Sequence, residues 1–124
     1  MTEKKPSLTA LPGPGKIEIS QNAIASIAAY AAARSYGIVG MAAKNVVEGI
    51  AATVTGDPHK GIDVHLNGDA IKIDLYVIVE YGTRISSVAH SVANTVKFNV
   101  EKATSLTVAE VNVYVQGLRV SNTD

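Results

Sequence analysis

The sequence predicts an α+β fold: a mixed sheet of about four strands with two to three helices on one face, in the rough order β-α-(α)-β-β-α-β. Three observations carry this. Apolar and polar residues alternate through 62–66 and 71–79, on either side of a glycine turn. An apolar stripe at helical spacing follows, made of Ile85, Val88, Ala89, Val92, Val96, Val100 and Ala103. A last alternating run covers 106–116. A strand–helix–strand unit of this kind crosses over right-handed, with its two strands parallel.

Residues 1–15 hold Pro6, Pro12, Gly13, Pro14 and Gly15, and read as a flexible arm. Lys4 and Lys5 have no apolar stretch behind them, so the arm is not a secretory signal. A single domain is expected over 16–120, with a polar tail at 121–124. It opens with a short alternating strand at 16–19. Ser20 is placed to cap a helix over 21–36, its hydroxyl accepting a free first-turn N–H. Alanines favour that helix, and Ile24, Ile27, Ala28, Ala31 and Ser35 share a face. Gly37 ends it in the left-handed conformation. Residues 38–41 form an apolar, extended connector containing Gly40. A second helix is expected over 45–54, ended by Gly56, Asp57 and Pro58.

The hairpin admits two registers. A turn at Gly68 and Asp69 pairs every apolar residue with another but sets Asp63 against Asp74. A turn at Asn67 and Gly68 pairs Asp63 with Lys72 but leaves Leu66 against Asp69. After a turn containing Gly82, Thr83 is placed to cap the third helix, which runs to about Lys102.

Composition narrows function by exclusion. The 124 residues include 11 basic and 11 acidic side chains and no cysteine. Zero net charge argues against a strong electrostatic reader of nucleic acid or anionic membrane. Aromatic residues are 5%, too few to interleave with a basic cluster as a single-strand binder requires. Without cysteine there is no disulfide scaffold and no thiol catalysis. The most apolar region, 19–43, is interrupted by Ser20, Gln21, Asn22 and Arg34, so no membrane span is expected.

No residue cluster spells out a reaction, so no enzyme, no cofactor and no metal is expected. Gly13-Pro14-Gly15-Lys16 is followed by Ile17 and a strand, where a phosphate loop needs Ser or Thr and a helix. Gly37-x-x-Gly40 is too short for a dinucleotide fingerprint. Asp63 and His65 share a strand face near Lys72 and Asp74, but a third ligand at convincing spacing is missing, and the group reads as a solvated polar face. Ser86, Ser87 and Ser91 near His90 lack a nucleophile elbow. Gly37, Gly40, Gly68 and Gly82 are structural and turn residues.

What remains is surface. If helices cover one sheet face, the other carries Tyr76, Ile78 and Tyr114 among polar groups. Phe98 lies about 145° from the centre of its helix's apolar stripe at 100° per residue. These four residues are the candidate interaction surface, unless the first two helices or the arm cover them. The small side chains of the first helix raise a different prospect, a groove against the sheet for a small molecule or an acyl chain.

Gly15-Lys-Ile-Glu-Ile-Ser20, the alanine-rich helix and Tyr36-Gly-Ile-Val-Gly-Met41 resemble the opening of the bacterial alkaline shock protein family. The resemblance continues through Ile73-Asp-Leu-Tyr-Val-Ile-Val-Glu-Tyr-Gly-Thr-Arg-Ile-Ser86 and closes with Val111-Asn-Val-Tyr-Val-Gln-Gly-Leu-Arg-Val120. It implies a cytoplasmic, mostly Gram-positive protein of the envelope stress response, with no catalytic residues to carry over. It further implies homo-oligomers, membrane proximity through a membrane-anchor protein, or service to a lipid-metabolism partner. The expected function is a non-catalytic interaction module; the alternative is a lipid-binding accessory of fatty-acid metabolism.

Overall fold

The computed structural model describes residues 7–9, 15–43, 61–68 and 70–120. In chain order the elements are β1 (Ser7–Thr9), β2 (Glu18–Ser20), α1 (Gln21–Ala33), β3 (Ile38–Met41), β4 (Ile62–Asn67), β5 (Ala70–Glu80), α2 (Ile85–Thr104) and β6 (Val108–Arg119). The class is α+β, as the sequence predicts. The helix expected over 45–54 and the tail at 121–124 lie outside the described residues.

β5 organises the sheet. β4 pairs antiparallel with residues 70–75 of β5, and β3 pairs antiparallel with residues 77–79 further along the same edge. β6 takes the opposite edge and runs parallel to β5. The parallel pairing follows from α2, which carries the chain back to the end where β5 began. The sheet is therefore mixed. Part of the expected flexible arm is ordered: Ser7–Thr9 pairs antiparallel with Glu18–Ser20.

The Ser20 hydroxyl accepts the Ala23 N–H at 3.1 Å, so the predicted cap of α1 is present. The helix ends at Ala33 rather than Tyr36, with Arg34 as its C-cap. Gly37 comes three residues later at φ +83°, where only glycine is unstrained. It also meets a close neighbour: a Cβ there would lie 2.6 Å from Val88 Cγ2 of α2. Thr83 does not cap α2. Its hydroxyl instead donates to the Glu80 carbonyl at 2.7 Å, closing the turn, and Arg84 takes the N-cap position without a side-chain bond.

The core lies between the sheet and the two helices. Ile71, Ile73, Leu75, Val77 and Val79 of β5 meet Ile24, Ala28 and Ala32 of α1 and Val92, Val96 and Val100 of α2, all fully buried. Each large apolar side chain hidden this way contributes about 1.5–3 kcal/mol. The stripe on α2 is narrower than the periodicity suggests. It runs in steps of four through Val88, Val92, Val96, Val100 and Thr104, while Ile85 and Ala103 are exposed. Thr104 is tolerated in the core because its hydroxyl donates to the Val100 carbonyl and accepts the Leu106 N–H.

Candidate interaction face

The hairpin adopts the register that sets Asp63 opposite Asp74, with Leu66 opposite Ile71 and Gly68 at φ +65°. Facing carboxylates repel, so this register needs a compensation. Asp74 supplies it by drawing donors from two other strands. His65 Nε2 of β4 lies 3.1 Å from Asp74 Oδ2, and Asn112 Nδ2 of β6 donates to Asp74 Oδ1 at 3.0 Å. Asn112 also donates to Glu110, which lies 3.9 Å from Lys72. Asp74 is only 7% exposed, so it departs from the solvated face expected of the group, while His65 and Lys72 are exposed as expected. One carboxylate is locked into a three-strand network.

Histidine and carboxylate are ligand types for divalent transition metals, and one candidate ligand atom each from Asp63, His65 and Asp74 fall within 4.8 Å of one another. These are the residues that could hold an ion. The contacts from His65 and Asn112 already account for both oxygens of Asp74, and the cluster has its origin in the strand register.

Next along the same face, Tyr76 of β5 and Tyr114 of β6 are directly opposite in the parallel ladder. Their rings stack at 4.9 Å between centroids with 18° between planes. Tyr114 is 43% exposed. Ile78 is a correction to the expected surface. It has no exposed area, although it lies outside the helix-side core cluster. Ile78 is therefore covered and offers nothing to a partner. Phe98 is 61% exposed, but on the outer side of α2, with the Lys102 ammonium 5.7 Å from its ring centre. The structure thus brings Tyr76 and Tyr114 together and leaves Phe98 on a different surface.

Periodicity gave no hint of two other features. Glu101 joins the end of α2 to the start of β6, accepting the Val108 N–H at 2.9 Å and lying 3.0 Å from Lys97 Nζ. The Val108 N–H first, and Lys97 second, hold its carboxyl below the usual range. The second feature is a cleft of about 420 Å³ between Tyr36 and the start of α2, bordered by Thr83, Arg84, Ser87 and Ser91. The groove expected beneath α1 is filled, because Ala25, Ala28, Ala29, Ala31 and Ala32 are packed away.

The described elements define a mixed sheet that packs α1 and α2 on one face and carries the stacked Tyr76–Tyr114 pair on the other. The comparisons with known proteins give the chain's kinship. Residues 12–120 match the model of the alkaline shock protein family, described by its cell envelope-related function. The chain belongs to that family, the one its sequence resembles. It is 46% identical over 110 residues to the uncharacterized protein YloU of Bacillus subtilis, covering 87% of this chain and 92% of YloU. It is 35% identical over 108 residues to the uncharacterized protein Spy1614 of Streptococcus pyogenes, covering 86% of this chain and 89% of that one. Neither the family description nor these names assigns a reaction. Among solved structures, a nickel form of a MamM CTD variant superposes with a TM-score of 0.48 at 15% identity, covering 82% of this chain and 100% of that one. No helix among the described residues is long and apolar enough to cross a membrane.

Proposed function

We propose that this member of the alkaline shock protein family is a non-catalytic interaction module in the cytoplasm. It serves the cell envelope by associating with itself and by holding a protein partner, which brings it close to the membrane. The observation that carries this reading is the Tyr76–Tyr114 stack, whose outer ring is 43% exposed on the sheet face away from α1 and α2. Tyrosine is the side chain best suited to such contacts. It offers a large rigid area with little rotamer entropy to lose, and a hydroxyl that reaches the wet rim. The charged neighbours Lys72, Glu110 and Arg119 supply that rim.

Light scattering behind size-exclusion chromatography, over a concentration series, tests it. The unaltered chain is expected to associate, and Tyr76→Ser and Tyr114→Ser to shift association to higher concentration while circular dichroism stays unchanged. Undiminished association in both variants would remove this face from consideration.

A lipid-binding accessory role is the second reading, favoured by the cleft beside Arg84, where an apolar wall at Val88 meets a cation. Native mass spectrometry after gentle purification would show a co-purified acyl ligand in that case, and a clean protein mass otherwise.

A further inference from the structure

Among the described residues, β6 has a strand on one edge only. The same β5 residues that pair with β4 also pair with β6, so those two neighbours occupy opposite edges of β5. Among the described residues nothing pairs with the far side of β6. This edge is 12 residues long. Soluble proteins usually blunt such an edge with lysine, proline or a very short strand. Val108–Arg119 contains no lysine and no proline, although its pairing with β5 is irregular at Ala109 and at Gln116. An edge left without a strand among the described residues presents N–H and C=O groups as a template for another strand.

We infer that the strand it takes is β6 of a second copy of this chain, antiparallel, with the two-fold axis at Tyr114. The inference rests on the self-association proposed above and gives it a geometry. The argument is one of register. With Tyr114 opposite its own mate, Val113 faces the mate's Val115. Gln116 is an extra residue in the β5–β6 ladder, since Val77 pairs with Val115 and Ile78 with Gly117. Counting past it sets Val111 opposite the mate's Leu118 and Glu110 opposite the mate's Arg119. Both members of each pair share a face. Val111 and Leu118 pair with Ile73 and Val79 on the helix side, whereas Glu110 and Arg119 pair with Lys72 and Glu80 on the tyrosine side. Leu118 and Arg119 are exposed, Leu118 by 41%.

No neighbouring register does this. Centring the axis on Asn112 sets Glu110 against Tyr114 and leaves Arg119 alone. Centring it on Val113 or Val115 leaves Glu110 and Arg119 apart. Only the Tyr114 register makes the charges complementary, twice over by symmetry. It also extends the stack. Strands lie about 4.8 Å apart, close to the 4.9 Å that separates the rings of Tyr76 and Tyr114. Two copies would therefore line up Tyr76, Tyr114 and their mates as one aromatic row across a continuous sheet.

The test is charge reversal with rescue, read as the dimer dissociation constant of the full chain, with circular dichroism as the fold control. Glu110→Arg and Arg119→Glu each convert two attractive cross-strand pairs into repulsive ones, and each is expected to weaken the dimer roughly tenfold. The double variant restores the pairs with their signs exchanged, and should return to within about threefold of the unaltered chain. The chain has no cysteine, so a single introduced thiol reports register directly. Tyr114→Cys should form a disulfide dimer quickly under mild oxidation, because facing Cα atoms fall within disulfide reach. Asn112→Cys should do so slowly. If the chain associates but the reversals have no effect, or the double variant fails to recover, the edge pairing is wrong and self-association stands. If the unaltered chain is a monomer at every concentration, both fall.

Discussion

Leu75 and Asp74 are adjacent on β5 and point to opposite sides of the sheet. Leu75 belongs to the apolar core on the helix side and has no exposed surface. Asp74, nearly as buried, is held by one contact from β4 and one from β6. The helix side of the strand is stabilised by volume, and its residues are interchangeable as long as the space is filled. The tyrosine side is stabilised by specific pairings, and there the position of each partner matters. A surface that must recognise something needs the second kind of order.

Substitutions at the two positions should separate these two kinds of order. Leu75→Ala is expected to cost the most, about 2–5 kcal/mol from lost transfer and a residual cavity, measured by denaturant unfolding. Asp74→Ala should cost less, about 1–3 kcal/mol, because it leaves polar partners unsatisfied without opening comparable space. Equal costs would break the distinction between the faces. The smallest effect is expected at Glu101, outside both. Its carboxyl is held below the usual range in the folded chain by the Val108 N–H and Lys97. Its stabilisation is therefore complete above the ordinary carboxylate pKa and disappears as pH falls through the lower, folded value. Glu101→Gln should lower the melting temperature slightly at neutral pH and flatten its decline in acid. A variant that keeps the parent's acid slope would show that Glu101 carries none of it.

Much of this fold was readable along the chain, because its signals are local. Alternation disclosed β4, β5 and β6, and valines four apart disclosed α2. Ser20 stood where a cap was needed. The failures came where the deciding partner is distant. Two hairpin registers looked comparable from residues 62–79. The opposed aspartates are accompanied by a hydrogen bond to Asp74 from Asn112, which lies 38 positions away and outside the hairpin. Thr83 had the right chemistry for a cap, but the Glu80 carbonyl claimed its hydroxyl first. For the candidate face, parity correctly placed Tyr76 and Tyr114 on one side. It could not show that Ile78, two residues on, is covered, since parity sets direction and not depth. Phe98 was separated from the tyrosines by the sheet itself, which no helical wheel displays.

The two neighbours of β5 also differ in when they can reach it. β4 is joined to β5 by a tight turn, and hairpins of that kind close in about 1–10 μs. β6 reaches the opposite edge only after the whole of α2 has been laid across the sheet, a closure of much greater contour length and slower on topological grounds. On these timescales the hairpin is expected to close before the crossover. Until β6 arrives, the open edge belongs to β5, whose apolar residues are interrupted by Lys72 and Asp74. Afterwards, among the described residues, it belongs to β6, which carries Glu110, Asn112, Tyr114 and Arg119 on the tyrosine side. Under the pairing inferred above, the late strand does not abolish the edge; it makes it selective.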